Sequence, residues 1–76
     1  MIYELLDIDG FNLVGAYETE EEALSDLRQL VAVNGFDYVQ SISLLMTDEH
    51  EDTVKVAEGV ALASRANITE PATLPR

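Results

Sequence analysis

One short segment dictates most of what this chain can fold into. Thr19-Glu20-Glu21-Glu22 has the pattern of a capping box, in which Thr19 caps a helix at its start and Glu22 reaches back to the Thr19 amide. The three glutamates sit where the positive end of the helix dipole favours them. The pattern predicts a helix over 20–34. Ala23, Leu27, Leu30, Val31 and Asn34 fall at helical spacing, Leu24 widens the stripe, and Glu21, Ser25, Arg28 and Gln29 form the wet side. Asn34-Gly35 predicts a left-handed C-cap, with Phe36 folding back as the apolar contact that accompanies such ends.

The apolar runs on either side of this helix read as two hairpins. Residues 2–8 and 13–18 are joined around Asp9-Gly10, a turn dipeptide in which glycine accepts positive φ. A two-residue turn opposes Ile8 to Phe11, whereas a longer one using Asn12 shifts the register and swaps faces. Residues 38–47 and 53–58 form the second pair around the polar run Asp48-Glu49-His50-Glu51-Asp52. Gly59 breaks the last strand, and residues 60–66 have helical character through Val60, Leu62, Ala63 and Ala66. The expected fold class is α+β: a ββαββ sheet with one long helix packed on one face and a short C-terminal helix. The expected organisation is a single domain over 1–66 and a flexible tail over 67–76, which carries Pro71 and Pro75.

Strand faces are less cleanly sorted than a half-solvated sheet requires. Strand one has Ile2, Leu6 and Ile8 on one face and Tyr3 and Leu5 on the other, and strand three sets Ile42, Leu44 and Met46 against Val39 and Leu45. The second face is therefore expected to be covered in part, by the C-terminal segment or by a second copy. Self-association also suits the size, because a chain of 76 residues buries only about 60% of its unfolded-chain surface. With no cysteine, neither disulfides nor thiolate metal sites can compensate. A homodimer is the expected assembly.

Charge narrows the partners. Fifteen Asp and Glu stand against four Lys and Arg, a formal net charge of −11, and no basic residue precedes Arg28. Phosphate neutralisation requires Lys and Arg, so direct binding of nucleic acid and of anionic membrane surfaces is excluded. Tyr3, Tyr17 and Tyr38 are accordingly read as cross-strand packing partners rather than as a platform for bases. The start Met1-Ile2-Tyr3-Glu4 lacks a basic segment, and no apolar run nears the roughly 18 residues that span a bilayer, which predicts a cytoplasmic protein.

Candidate chemistry is sparse. Asp48 to Asp52 gathers hard oxygen ligands around an imidazole, but a short loop rarely supplies the six to eight oxygens calcium takes, and the run reads as a solvated hairpin tip. Asp7, Asp9 and Glu18 echo positions 1, 3 and 12 of a calcium-binding loop, yet Phe11 occupies a ligand position and Asn12 replaces the turn glycine. His50 is the only histidine, and no serine has another base to work with. Gly15 inside a strand predicts a bulge or a close approach that serves packing. The expectation is a non-enzymatic chain without metal or cofactor, binding a protein with a basic surface. The candidate partner-contact residues are Glu18, Glu20, Glu21, Asp48, Glu49, Glu51 and Asp52.

With Tyr3 to Asp7 in strand one, Thr19-Glu-Glu-Glu-Ala-Leu24 opening the helix and Val56 to Ala66 at the end, the chain resembles small uncharacterised bacterial ββαββ proteins over residues 2–66. The Thr-x-x-Glu-Ala-Leu helix start is also similar to that of HicB-type antitoxins, whose sheet-and-helix domain neutralises a toxin and is fused to a DNA-binding segment. This chain departs from them in having no basic extension and an extra strand pair after the helix. Neither resemblance transfers a functional residue; the acidic charge gives the alternative function, a nucleic-acid-mimicking inhibitor or antitoxin-like protein that presents carboxylates in place of phosphates to a basic partner and requires the acids to form a continuous stripe on one face.

Overall fold

The computed structural model describes residues 1–69. Strands β1 (Ile2–Asp7) and β2 (Asn12–Tyr17) form the first hairpin, and helix α1 (Glu20–Asn34) follows. A 3-10 helix (Phe36–Ser41) leads into β3 (Ile42–Thr47), β4 (Thr53–Glu58) and helix α2 (Gly59–Arg65). The four strands make one antiparallel sheet in the order β2-β1-β3-β4. Because β1 is antiparallel to both neighbours, β2 and β3 run in the same direction with β1 between them, and α1 is the crossover that joins them.

The α+β class expected from the sequence is the class observed, and α1 has the expected bounds. Thr19 Oγ1 accepts from the Glu22 amide at 3.1 Å, and the return bond runs from the Thr19 hydroxyl to Glu22 Oε1 rather than from the Thr19 amide. At the far end Gly35 has φ 96° and ψ 162°, a positive-φ extended geometry open to glycine rather than the expected left-handed helical one.

The strand expected over 38–47 begins instead at Ile42. Ahead of it Phe36 and Val39, three residues apart, share the inner side of the 3-10 turn, where Val39 is fully buried and Phe36 packs on the core. A ten-residue strand would have overrun its six-residue partner β1; coiling the excess closes the end of the core instead. Tyr38 is therefore not a strand residue, whereas Tyr3 and Tyr17 are direct cross-strand partners, as expected.

Both helices lie on the same face of the sheet. Leu5, Ile42 and Leu44 point to that face and share one core with Ala23, Leu24, Leu27 and Val31 of α1 and with Leu62, Ala63 and Ala66 at the C-terminal end. Among the described residues the C-terminal segment thus joins α1 on the first face, and of the two expected covers for the second face none of residues 59–69 supplies it. The reason is apolar content: α2 offers one short stripe, and the core beside β3 and β4 beyond the reach of α1 takes it.

Two bulges let the edge strands serve this core. The register shifts at Val14 of β2, and again at Val56 of β4, and both valines pack inward. The fold also runs past the expected boundary at residue 66. Asn67 N–H bonds to the Ser64 carbonyl at 3.1 Å and Ile68 N–H to the Ala63 carbonyl at 2.8 Å, with Asn67 at φ 60°. This is a Schellman cap, and Ile68 packs against the core. The remainder of the expected tail, 70–76, lies outside the described residues.

Candidate functional site

The register places the acidic segments. Tyr17 at the end of β2 pairs with Tyr3, Tyr3 with Met46, and the β3–β4 ladder closes at Thr47 and Thr53. The start of α1 and the loop 48–52 therefore leave the sheet at one and the same end, with the clusters two to three strand spacings apart, about 10–15 Å. Glu18, Glu20, Glu21, Glu22, Asp48, Glu49, Glu51 and Asp52 together bring eight of the chain's 15 acidic residues to that end.

Not all of them face outward. Arg65 of α2 forks onto Glu20, with Nη2 3.1 Å from Oε1 and Nε on Oε2. Arg28 donates through Nη2 to Glu21 at 2.6 Å and through Nη1 to the Ala66 carbonyl at 3.0 Å. Exposed ion pairs contribute about 1 kcal/mol or less each. Their effect here is geometric: Arg65–Glu20 and the Arg28 bond to the Ala66 carbonyl join α1 to the C-terminal end of α2, while Arg28–Glu21 lies within α1 and holds the guanidinium in place. Asp48 is likewise internal to its loop: Oδ1 accepts from His50 N–H at 2.8 Å and Asp52 N–H at 3.0 Å. Of the seven residues expected to meet a partner, Glu20, Glu21 and Asp48 have structural tasks. Glu18, Glu49, Glu51 and Asp52 are exposed, and the described residues give their carboxylates no hydrogen bond or ion pair.

Asp7, one member of the calcium-loop echo, is similarly engaged; its Oδ1 accepts from the Asp9 amide at 3.0 Å and shapes the β1–β2 turn. Among the described residues no three His, Asp or Glu side chains converge as a metal-binding set.

An open groove of about 590 Å³ runs beside α1, lined by Tyr17, Glu21, Glu22, Ser25, Asp26 and Gln29. The Tyr17 hydroxyl donates to Asp26 across it. Burial first, and then the bond to Asp26, push the Tyr17 phenol above its ordinary range. The arrangement therefore holds the proton on tyrosine, the opposite of what a phenolate base or nucleophile needs near neutral pH. Gly15 lies under this tyrosine, so the close approach expected from the sequence is a contact within β2.

The uncovered face of the sheet is the other notable surface. One row crosses it in register: Ala16, Glu4, Leu45 and Lys55. The next row carries Leu13, Leu6, Ser43 and Glu58. The Ser43 hydroxyl donates to Glu58, and that bond, aided by Lys55, holds the Glu58 carboxyl below its ordinary range. Among the described residues no helix lies over these rows. Sequence reasoning missed the links of Arg28 and Arg65 between α1 and α2 and the Tyr17–Asp26 bond, since these join residues whose proximity depends on how the helices pack on the sheet and on each other.

Comparison with protein-family models, with curated proteins and with solved structures gives no match. No helix of the described residues is long and apolar enough to cross a membrane.

Proposed function

We propose that this chain is a small acidic, non-enzymatic interaction or regulatory module that docks on a basic surface of another protein. Its contact residues are Glu18, Glu49, Glu51 and Asp52. The observation that supports this reading is the shared end of the sheet: two acidic segments far apart in sequence project from it together. Their summed field raises the association rate with a cationic surface more than it raises affinity. Glu20 and Glu21 act in this reading as scaffold, bound to Arg65 and Arg28.

Titration of labelled protein with a lysine-rich peptide tests it. Amide shifts are expected at 18–22 and 48–52 and are expected to shrink with added salt. E18Q/E49Q should weaken the response several-fold more than D9N/D37N, which removes the same charge at the opposite end. Equal losses from the two pairs would overturn the reading.

The same arrangement favours a second reading, an inhibitor that occupies a nucleic-acid-binding groove with carboxylates in place of phosphates. It requires competition. The chain should displace a labelled oligonucleotide from its basic partner, and simultaneous binding of both would exclude it.

A further inference from the structure

We infer that the uncovered sheet face takes a second copy of this chain, about a twofold axis that runs parallel to the strands past Leu45. The face offers apolar surface that the described residues leave unburied: Ile2 is 44% exposed, and Leu6 and Leu45 are half-buried beside it. Its charges decide the geometry. Glu4, Leu45 and Lys55 stand side by side on three adjacent strands, so Leu45 lies midway between the carboxylate and the ammonium group.

Rotation about an axis along the strands sets Leu45 on Leu45 and brings each Glu4 opposite Lys55 of the other copy, twice. Rotation about an axis across the strands sets Glu4 on Glu4 and Lys55 on Lys55, which like-charge repulsion disfavours. Glu4 is half-buried and makes no hydrogen bond or ion pair among the described residues. Lys55 has a single loose partner, Glu58 at 3.5 Å. Both are thus available for this exchange.

Pairing through sheet edges is disfavoured by the same structure. Each edge strand carries a bulge, at Val14 in β2 and Val56 in β4, and β4 adds Lys55. Bulges and lysine are features that keep edges from pairing. Face-to-face packing needs no free edge. On this axis β1, β3 and β4 overlap their counterparts while β2 overhangs; three strands of six residues project about 14 by 20 Å, which places the interface below the standard size and predicts a weak dimer, in the high-micromolar range.

This inference is independent of docking at the acidic end, and ionic strength separates the two. Copies of net charge −11 repel at long range, so added salt should tighten the dimer, whereas it should weaken binding of a basic partner.

Sedimentation equilibrium over a micromolar-to-millimolar series is the test, with circular dichroism confirming that each variant is folded. The wild type should approach twice 8.4 kDa. E4K and L45E should each raise the dissociation constant roughly tenfold or more, and E4K/K55E should recover most of the loss from E4K. A wild type that stays at 8.4 kDa throughout would overturn the inference. So would a dimer indifferent to E4K and L45E, and an E4K/K55E protein no better than E4K would rule out this axis.

Discussion

The ring of Tyr17 lies across the backbone of Gly15, so close that a Cβ built there would stand 2.7 Å from the ring carbon bearing the hydroxyl. That hydroxyl reaches Asp26 on α1. The absent side chain at Gly15 thus allows the edge of the sheet to be tied to the helix that crosses over it. Since Tyr17 and Gly15 are two apart on one strand, they share the face toward α1, and only glycine leaves room for a ring to lie flat.

Gly15→Ala should destabilise the fold by about 1–3 kcal/mol, the range for an overpacked site. Tyr17→Phe should cost about 1 kcal/mol, the value of one hydrogen bond. If alanine acts by lifting Tyr17 from Asp26, the double variant should lose less than the two single losses together. Urea denaturation of the four proteins measures this, and strictly additive losses would place the effect of Gly15 elsewhere.

Alkaline pH should unfold the protein through the same tyrosine. The phenol has its pKa raised in the folded state, by burial and by Asp26, above the unfolded value of about 10. The stabilisation is then fully present below about pH 10 and is lost as pH rises toward the folded pKa. The thermal midpoint should fall above about pH 10, and the fall should be shallower in Tyr17→Phe. Equal slopes in both proteins would assign the alkaline loss to other groups.

Local signals carried the sequence reading, and long-range ones escaped it. Helix α1 was legible because Thr19, Glu22 and the apolar spacing all lie within a few residues of each other. Segment 36–41 was misread because Val39 looks alike in a strand and in a 3-10 turn, and only the length of β1 decides between them. The acidic end of the sheet depends on strand order, which hairpin patterns do not contain. Arg28 appeared as a wet-side residue since its bond to the Ala66 carbonyl forms only after α2 folds back onto α1.

That placement makes Arg28 a hinge pin for α2. Arg28→Ala should cost about 1 kcal/mol, discounted for its exposure, and should speed amide exchange at residues 62–68 more than elsewhere. Arg28→Lys should recover little, because a single ammonium cannot span the Glu21 carboxylate and the Ala66 carbonyl as the planar fork does. Exchange measured by mass spectrometry decides the point. Uniform acceleration across the chain would mean that α2 is not separately held.

Asn67 tests where the domain ends. Its φ of 60° is left-handed, a conformation that asparagine and glycine tolerate and that β-branched residues do not. It is also the residue that turns Ile68 back so that its amide meets the Ala63 carbonyl and its side chain meets the core. Asn67→Gly should therefore leave stability within about 0.5 kcal/mol, whereas Asn67→Val should lose about 1–2 kcal/mol. Ile68→Ala should be destabilising as well, which a residue in a flexible tail would not be. Chemical denaturation of the three variants is sufficient, and three curves coincident with the wild type would return the domain boundary to Ala66.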